Sequence, residues 1–99
     1  MTGTAQSSGL KTAGTYQIFL GRGVISAVHA ISDGINVATV TLYDNATGDT
    51  SGNVLAKVNG SVTTGSNGAI WTTPIRCNNG CTMVVAGTGS PQGIVYFGA

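Results

Sequence analysis

Glutamate is missing from this chain, and its three acids, Asp33, Asp44 and Asp49, all fall in turn-like stretches. Histidine occurs once, at His29, and charged residues make up 7% of the 99, against roughly 25% in ordinary soluble domains. That scarcity removes most of the general acid–base repertoire. A Ser–His–Asp triad can be written on paper from Ser26 or Ser32, His29 and Asp33. Those residues are neighbours along one strand, however, and neither a nucleophile elbow nor an oxyanion loop accompanies them. No enzyme activity is expected. The cations Lys11, Arg22, Lys57 and Arg76 are scattered and the net charge is +1, so there is no basic footprint for nucleic acid. No apolar run approaches the ~18–20 residues of a membrane span. The start, MTGTAQSSG, lacks the basic and apolar segments of a signal peptide, so export by the standard route is not expected.

Cysteine is nearly absent too, with two residues, Cys77 and Cys81. Cys-x3-Cys with a single histidine falls short of the four ligands of a structural zinc site, and no Cys-x2-Cys redox motif is present. Placed opposite one another across a tight turn, the two could meet disulfide geometry; the sequence leaves a thiol pair and a disulfide equally open. The segment Asp44–Asp49 shares the composition of a calcium loop but lacks the EF-hand spacing and its terminal glutamate. Asp and Asn are ordinary turn residues as well. Gly87-Thr88-Gly89 has no helix behind it to cradle a phosphate. No cofactor, metal or small-molecule substrate is expected.

What is abundant is Gly, Ser, Thr and Val, the vocabulary of short strands and turns. The stretch Val37–Val58, VATVTLYDNATGDTSGNVLAKV, organises the rest. Ala38, Val40 and Leu42 alternate with Thr39, Thr41 and Tyr43, the period of a half-buried strand. The chain turns after Asp44-Asn45 and returns through Val54, Ala56 and Val58, which makes a hairpin. Tyr16–Leu20 is a strand with Tyr16, Ile18 and Leu20 on one face and Gln17 and Phe19 on the other. Gly21 and Gly23 bracket a bend. Val24–Ser32 could also present a helix face, but Asp33-Gly34 is a strong hairpin signal, so Val24–Ser32 and Ile35–Tyr43 are expected to pair. Ser61–Thr64 is compatible with a short strand, Gly65–Gly68 with a loop, and Ala69–Thr73 with a strand that Pro74 ends. Ile75–Cys77 and Cys81–Ala86 are expected to form a hairpin around Asn78-Asn79-Gly80, and Ile94–Phe97 closes the chain.

About eight strands at this spacing predict an all-β fold: a small antiparallel β-sandwich or jelly-roll-like domain over residues 10–99, preceded by a polar N-terminal arm over residues 1–9. The arm has no large apolar residue after Met1. Ordering it costs roughly 1–2 kcal/mol per residue, so a neighbouring chain's exposed strand edge is expected to hold it, with packing on its own domain the alternative.

Three pieces, SSGLKTAGTYQIFLGRGVISA, the strand VATVTLYDNATGDTSGNVLAKV and the end IVYFGA, together resemble small β-sandwich structural proteins of bacteriophage virions. The resemblance implies a capsid decoration or cement protein on the outer capsid surface, synthesised in the host cytoplasm. Its partners would be the major capsid protein and copies of itself, as a homotrimer at threefold positions. Contacts are expected through Thr2, Gly3, Thr4, Ala5, Gln6, Ser7 and Ser8, with Lys11 and Arg22 nearby. The alternative is a neck, tail or fibre subunit that binds a host glycan through Trp71 and Tyr43. Cys77 and Cys81 are not part of the shared pattern.

Overall fold

The structure, a computed structural model, describes residues 6–45, 47, 48, 50, 52–61 and 66–98, with the side chains of 66–73 outside that description. The strands are β1 (Gln6–Ser7), β2 (Lys11–Thr12), β3 (Gly14–Leu20), β4 (Gly23–Ile31), β5 (Ala38–Asp44), β6 (Asn53–Gly60), β7 (Ser66–Cys77), β8 (Gly80–Gly87) and β9 (Gln92–Gly98). They form two antiparallel sheets. One has the order β1-β9-β4-β7, with β2 also paired to β9; the other has the order β3-β8-β5-β6. The expected all-β sandwich is what forms.

Period-two alternation explains the packing. From the first sheet Ile25, Val28, Ala30 and Val95 point inward, and from the second Ala38, Val40, Leu42, Met83 and Val85 meet them, all 2% exposed or less. Fully burying the larger of these side chains, the valines, Ile25, Leu42 and Met83, contributes about 1.5–3 kcal/mol each. The organising hairpin is present: β5 pairs with β6 from Ala38↔Gly60 to Asp44↔Asn53, with one irregularity between Leu42 and Tyr43.

The other two expected hairpins are not hairpins. β4 lies in the first sheet and β5 in the second, so residues 32–37 carry the chain across the sandwich. Asp33-Gly34 does not close a two-residue turn. Instead Asp33 Oδ1 accepts hydrogen bonds from the Ile35 and Asn36 amides, both at 2.8 Å, and Oδ2 accepts one from Ser90 at 3.0 Å. The reason is burial: both strands have a strongly apolar face, and facing sheets bury both faces at once. The same holds at Asn78-Asn79, where the chain passes from β7 in the first sheet to β8 in the second. The Asp44 carboxylate takes the Asn78 amide at 3.2 Å and the Asn79 amide at 2.8 Å. Gly80 is needed here, because a Cβ would sit 2.7 Å from the carbonyl oxygens of both Asn45 and Phe19.

Two further expectations change. Ser66–Gly68, expected as loop, belongs to β7, which runs on through Pro74. The register with β4 passes from Ala27↔Ile70 to Ile25↔Ile75, so residues 71–74 bulge out of an edge strand, a place where proline is tolerated. The arm was expected to need a neighbouring chain, yet Gln6 and Ser7 pair with Phe97 and Tyr96 of the chain's own β9. Ser8 extends this pairing: its amide donates to Val95 O at 2.9 Å and its Oγ accepts from the Val95 amide at 3.0 Å. Main-chain pairing is indifferent to side-chain size, so the free edge of β9 suffices for residues 6–8. Residues 1–5, and the short strand considered at 61–64 beyond Ser61, lie outside the described residues.

Three backbone amides, with that of Ser90 foremost, then Asn36 and Ile35, hold the Asp33 carboxyl well below the usual carboxylate range. A depressed folded-state value means stability that is present above the unfolded value of about 3.9 and lost as the pH falls below it. The midpoint of thermal unfolding should therefore drop between about pH 5 and about pH 2, and Asp33→Asn should lessen that drop. An equal drop in both proteins would show that Asp33 does not anchor this crossing.

Candidate functional site

One side of the sandwich is filled where β6 packs against β7 and β4. On the opposite side, between the arm and β3, two clefts open on either side of Phe97. The larger, about 430 Å³, lies between Ser7, Ser8 and Lys11 on one wall and Thr15–Ile18 on the other. The smaller, about 210 Å³, lies between Gln6 and Gly98 on one wall and Phe19, Leu20 and Arg22 on the other. Every described residue expected to contact a partner, Gln6, Ser7, Ser8, Lys11 and Arg22, lines one of the two. Thr2–Ala5 lie outside the described residues.

The floor between the clefts is aromatic. Phe19 and Phe97 stack with ring centroids 5.3 Å apart and planes inclined by 28°. Gly23 makes room for the pair, since a Cβ there would lie 2.6 Å from the Phe19 ring. Strict alternation in YQIFL assigns Phe19 to the face opposite Ile18. The strand instead carries a bulge: Gln17 pairs with Thr82 and Phe19 with Cys81, so Ile18 is the extra residue. Tyr16, Ile18 and Phe19 therefore all pack against the core, and Leu20 is left 66% exposed at the mouth of the smaller cleft. Nothing in the composition of that strand marks the bulge. At the larger cleft the Lys11 ammonium sits 5.4 Å from the centre of the Tyr16 ring, a contact that contributes about 0.5–1 kcal/mol at an exposed site. The Tyr16 hydroxyl donates to Thr12 O at 2.8 Å, which fixes the ring.

The remaining candidates are dispersed. His29 stands in the middle of β4, opposite Gly68 and Ile94 and half-buried. The other triad residues have structural partners: Ser26 Oγ donates to Tyr96 O, Ser32 Oγ donates to Asn36 O, and Asp33 holds its crossing. In the calcium-like segment, Asn45 Oδ1 accepts from the Thr47 and Gly48 amides at 2.7 and 2.8 Å, a side-chain turn; Asp49 lies outside the described residues. Among the described residues no group of three or more His, Cys, Asp or Glu is placed to hold a metal ion. No helix among them is long and apolar enough to cross a membrane. Tyr43 is half-buried opposite Thr82 and Val54, and the Trp71 side chain lies outside the description.

Cys77 and Cys81 are free thiols, both fully buried, at the crossing between the sheets. The neighbouring Cys81 thiol holds the Cys77 thiol below its ordinary value. The Cys77 thiol, burial and the nearby Asp44 carboxylate all push the Cys81 thiol up.

No protein-family model, curated protein or solved structure matches the chain.

Because both thiols are fully buried and out of a reagent's reach, the native protein should react only slowly with a thiol-specific disulfide reagent. Both cysteines should titrate after unfolding in denaturant without reductant. Finding no free thiols in the denatured protein would overturn the thiol assignment.

Proposed function

We propose that the chain is a structural protein of a bacteriophage virion, a head decoration or cement protein that binds the major capsid lattice and stabilises the head. The observation that carries this is the convergence of Gln6, Ser7, Ser8, Lys11 and Arg22 on the open side of the sandwich. The likeness of SSGLKTAGTYQIFLGRGVISA, VATVTLYDNATGDTSGNVLAKV and IVYFGA to small virion β-sandwiches supports it. The open side has the chemistry of a protein-binding surface. Neutral hydrogen-bonding groups (Gln6, Ser7, Ser8, Thr15, Gln17) surround an aromatic floor, with one cation at each cleft, an arrangement of apolar centre and polar rim. Strand edges at this side offer main-chain groups for strand addition.

The chain carries a net charge of +1 on 99 residues. Long-range attraction to a capsid is therefore weak, and affinity rests on short-range shape and hydrogen bonding rather than on steering. Binding of this kind should depend little on ionic strength.

Electron cryomicroscopy of intact particles tests the proposal. The expected density is a small β-sandwich on the outer capsid surface, at threefold or quasi-threefold positions, with the β1 and β3 side facing the lattice. Density confined to the neck, tail or fibres would overturn the decoration role. Absence of the protein from purified particles would overturn the virion role itself.

A further inference from the structure

The four sheet edges of this sandwich are not equally protected. Natural proteins blunt edges with charge, proline, brevity or bulges, because an open edge recruits other strands. β7 carries Pro74 and the bulge at 71–74. β6 carries the exposed Lys57. β1 is two residues long and gives way to Lys11 in β2. β3 has seven residues, GTYQIFL, with neither charge nor proline. Its bulge at Ile18 leaves Gly14–Gln17 in unbroken register with Val85–Thr82 of β8. Among the described residues no backbone hydrogen bond joins β3 to any strand other than β8. Thr15–Ile18 of this edge strand line the 430 Å³ cleft.

We propose that β3 pairs antiparallel with β3 of a second copy of this chain, joining two four-stranded sheets into one continuous sheet across a twofold axis. Three features single out that occupant. An antiparallel pairing of this strand with itself sets no like charges opposite one another, since it has none, and the net charge of +1 per chain adds little repulsion. The contact is isologous, so it closes: both unprotected edges are consumed, whereas adding any other edge of this chain leaves one β3 open and invites further growth. Those other edges are also the ones that Pro74, Lys57 and brevity make poor partners. A strand lying about 4.8 Å from β3 would enter the larger cleft and cover Leu20, which is 66% exposed. The result is a dimer rather than the homotrimer expected from the sequence. It concerns the isolated chain and does not depend on a virion location.

Analytical ultracentrifugation of the purified chain over a concentration series tests the pairing. A monomer–dimer equilibrium is expected. The double substitution Thr15→Lys/Gln17→Lys sets positive charge on two exposed positions of the edge, so like charges face one another in antiparallel registers centred on residues 15, 16 or 17, the unbroken part of the strand. It should raise the dissociation constant at least about tenfold with the thermal midpoint of the monomer unchanged. Val54→Lys, at the far edge of the same sheet, should leave association as it is. Amide exchange supplies a readout that needs no variant: residues 14–20 of the native chain should gain protection as concentration rises, and residues 53–60 should not. A chain that is monomeric at all concentrations overturns the proposal. So does dimerisation that the double variant leaves intact, or concentration-dependent protection located elsewhere.

Discussion

The sandwich depends on how its chain passes between sheets. Successive strands from β2 to β9 change sheet at every link but one, the β5–β6 hairpin. A crossing has no strand partner for its main-chain N–H groups, which leaves its path unfixed unless some other acceptor takes them. Side-chain oxygens take that role. Asp33 accepts three backbone amides at one end and joins the β4–β5 crossing to the β8–β9 crossing. Asp44 accepts two at the β7–β8 crossing, and Asn45 caps the turn beside it. Without these acceptors the facing of Ile25, Val28 and Ala30 against Val40, Leu42 and Val85 would lack fixed ends.

This use of acids bears on function. Both described carboxylates are committed to main-chain donors, and the single histidine stands apart from them on β4. Among the described residues, Asp33 and Asp44 hold the crossings between the sheets. What remains available to a partner is geometry: the gap between the arm and β3, the stacked Phe19 and Phe97 at its base, and an uncharged strand edge. The arm occupies the edge of β9 with its residues 6–8, so the edge still open on that side is the one on β3.

Fold class and most strands were legible in the sequence because alternation reports which residues are buried, and burial is the larger energy. Leu42, Val40 and Ala38 mark β5 by that rule alone. Connectivity was legible at the β5–β6 hairpin and not at the two crossings. Asp33-Gly34 and Asn78-Asn79-Gly80 are hairpin signals by local backbone preference, yet each link is decided by which distant face its strands must cover. Ile18 was illegible for a related reason: a bulge inserts one residue and reverses the alternation after it, which is how Phe19 reaches the core side. Gln6, Ser7, Ser8, Lys11 and Arg22 could be proposed as contacts from their place in the chain. The aromatic floor between them could not, because Phe97 arrives from the far end of the sequence.

The central claim is that the side between the arm and β3 is where this protein meets its partners. Hydrogen–deuterium exchange of the protein, free and mixed with phage capsids as the proposed partner, tests this most directly. The account requires slowed exchange on binding in residues 6–11, and in residues 14–20 relative to the chain at a dilution where it is monomeric, with β6 and the β5–β6 turn exchanging as in the free protein. Protection confined to β6, or to the outer faces of the sheets with residues 14–20 unaffected, would contradict it.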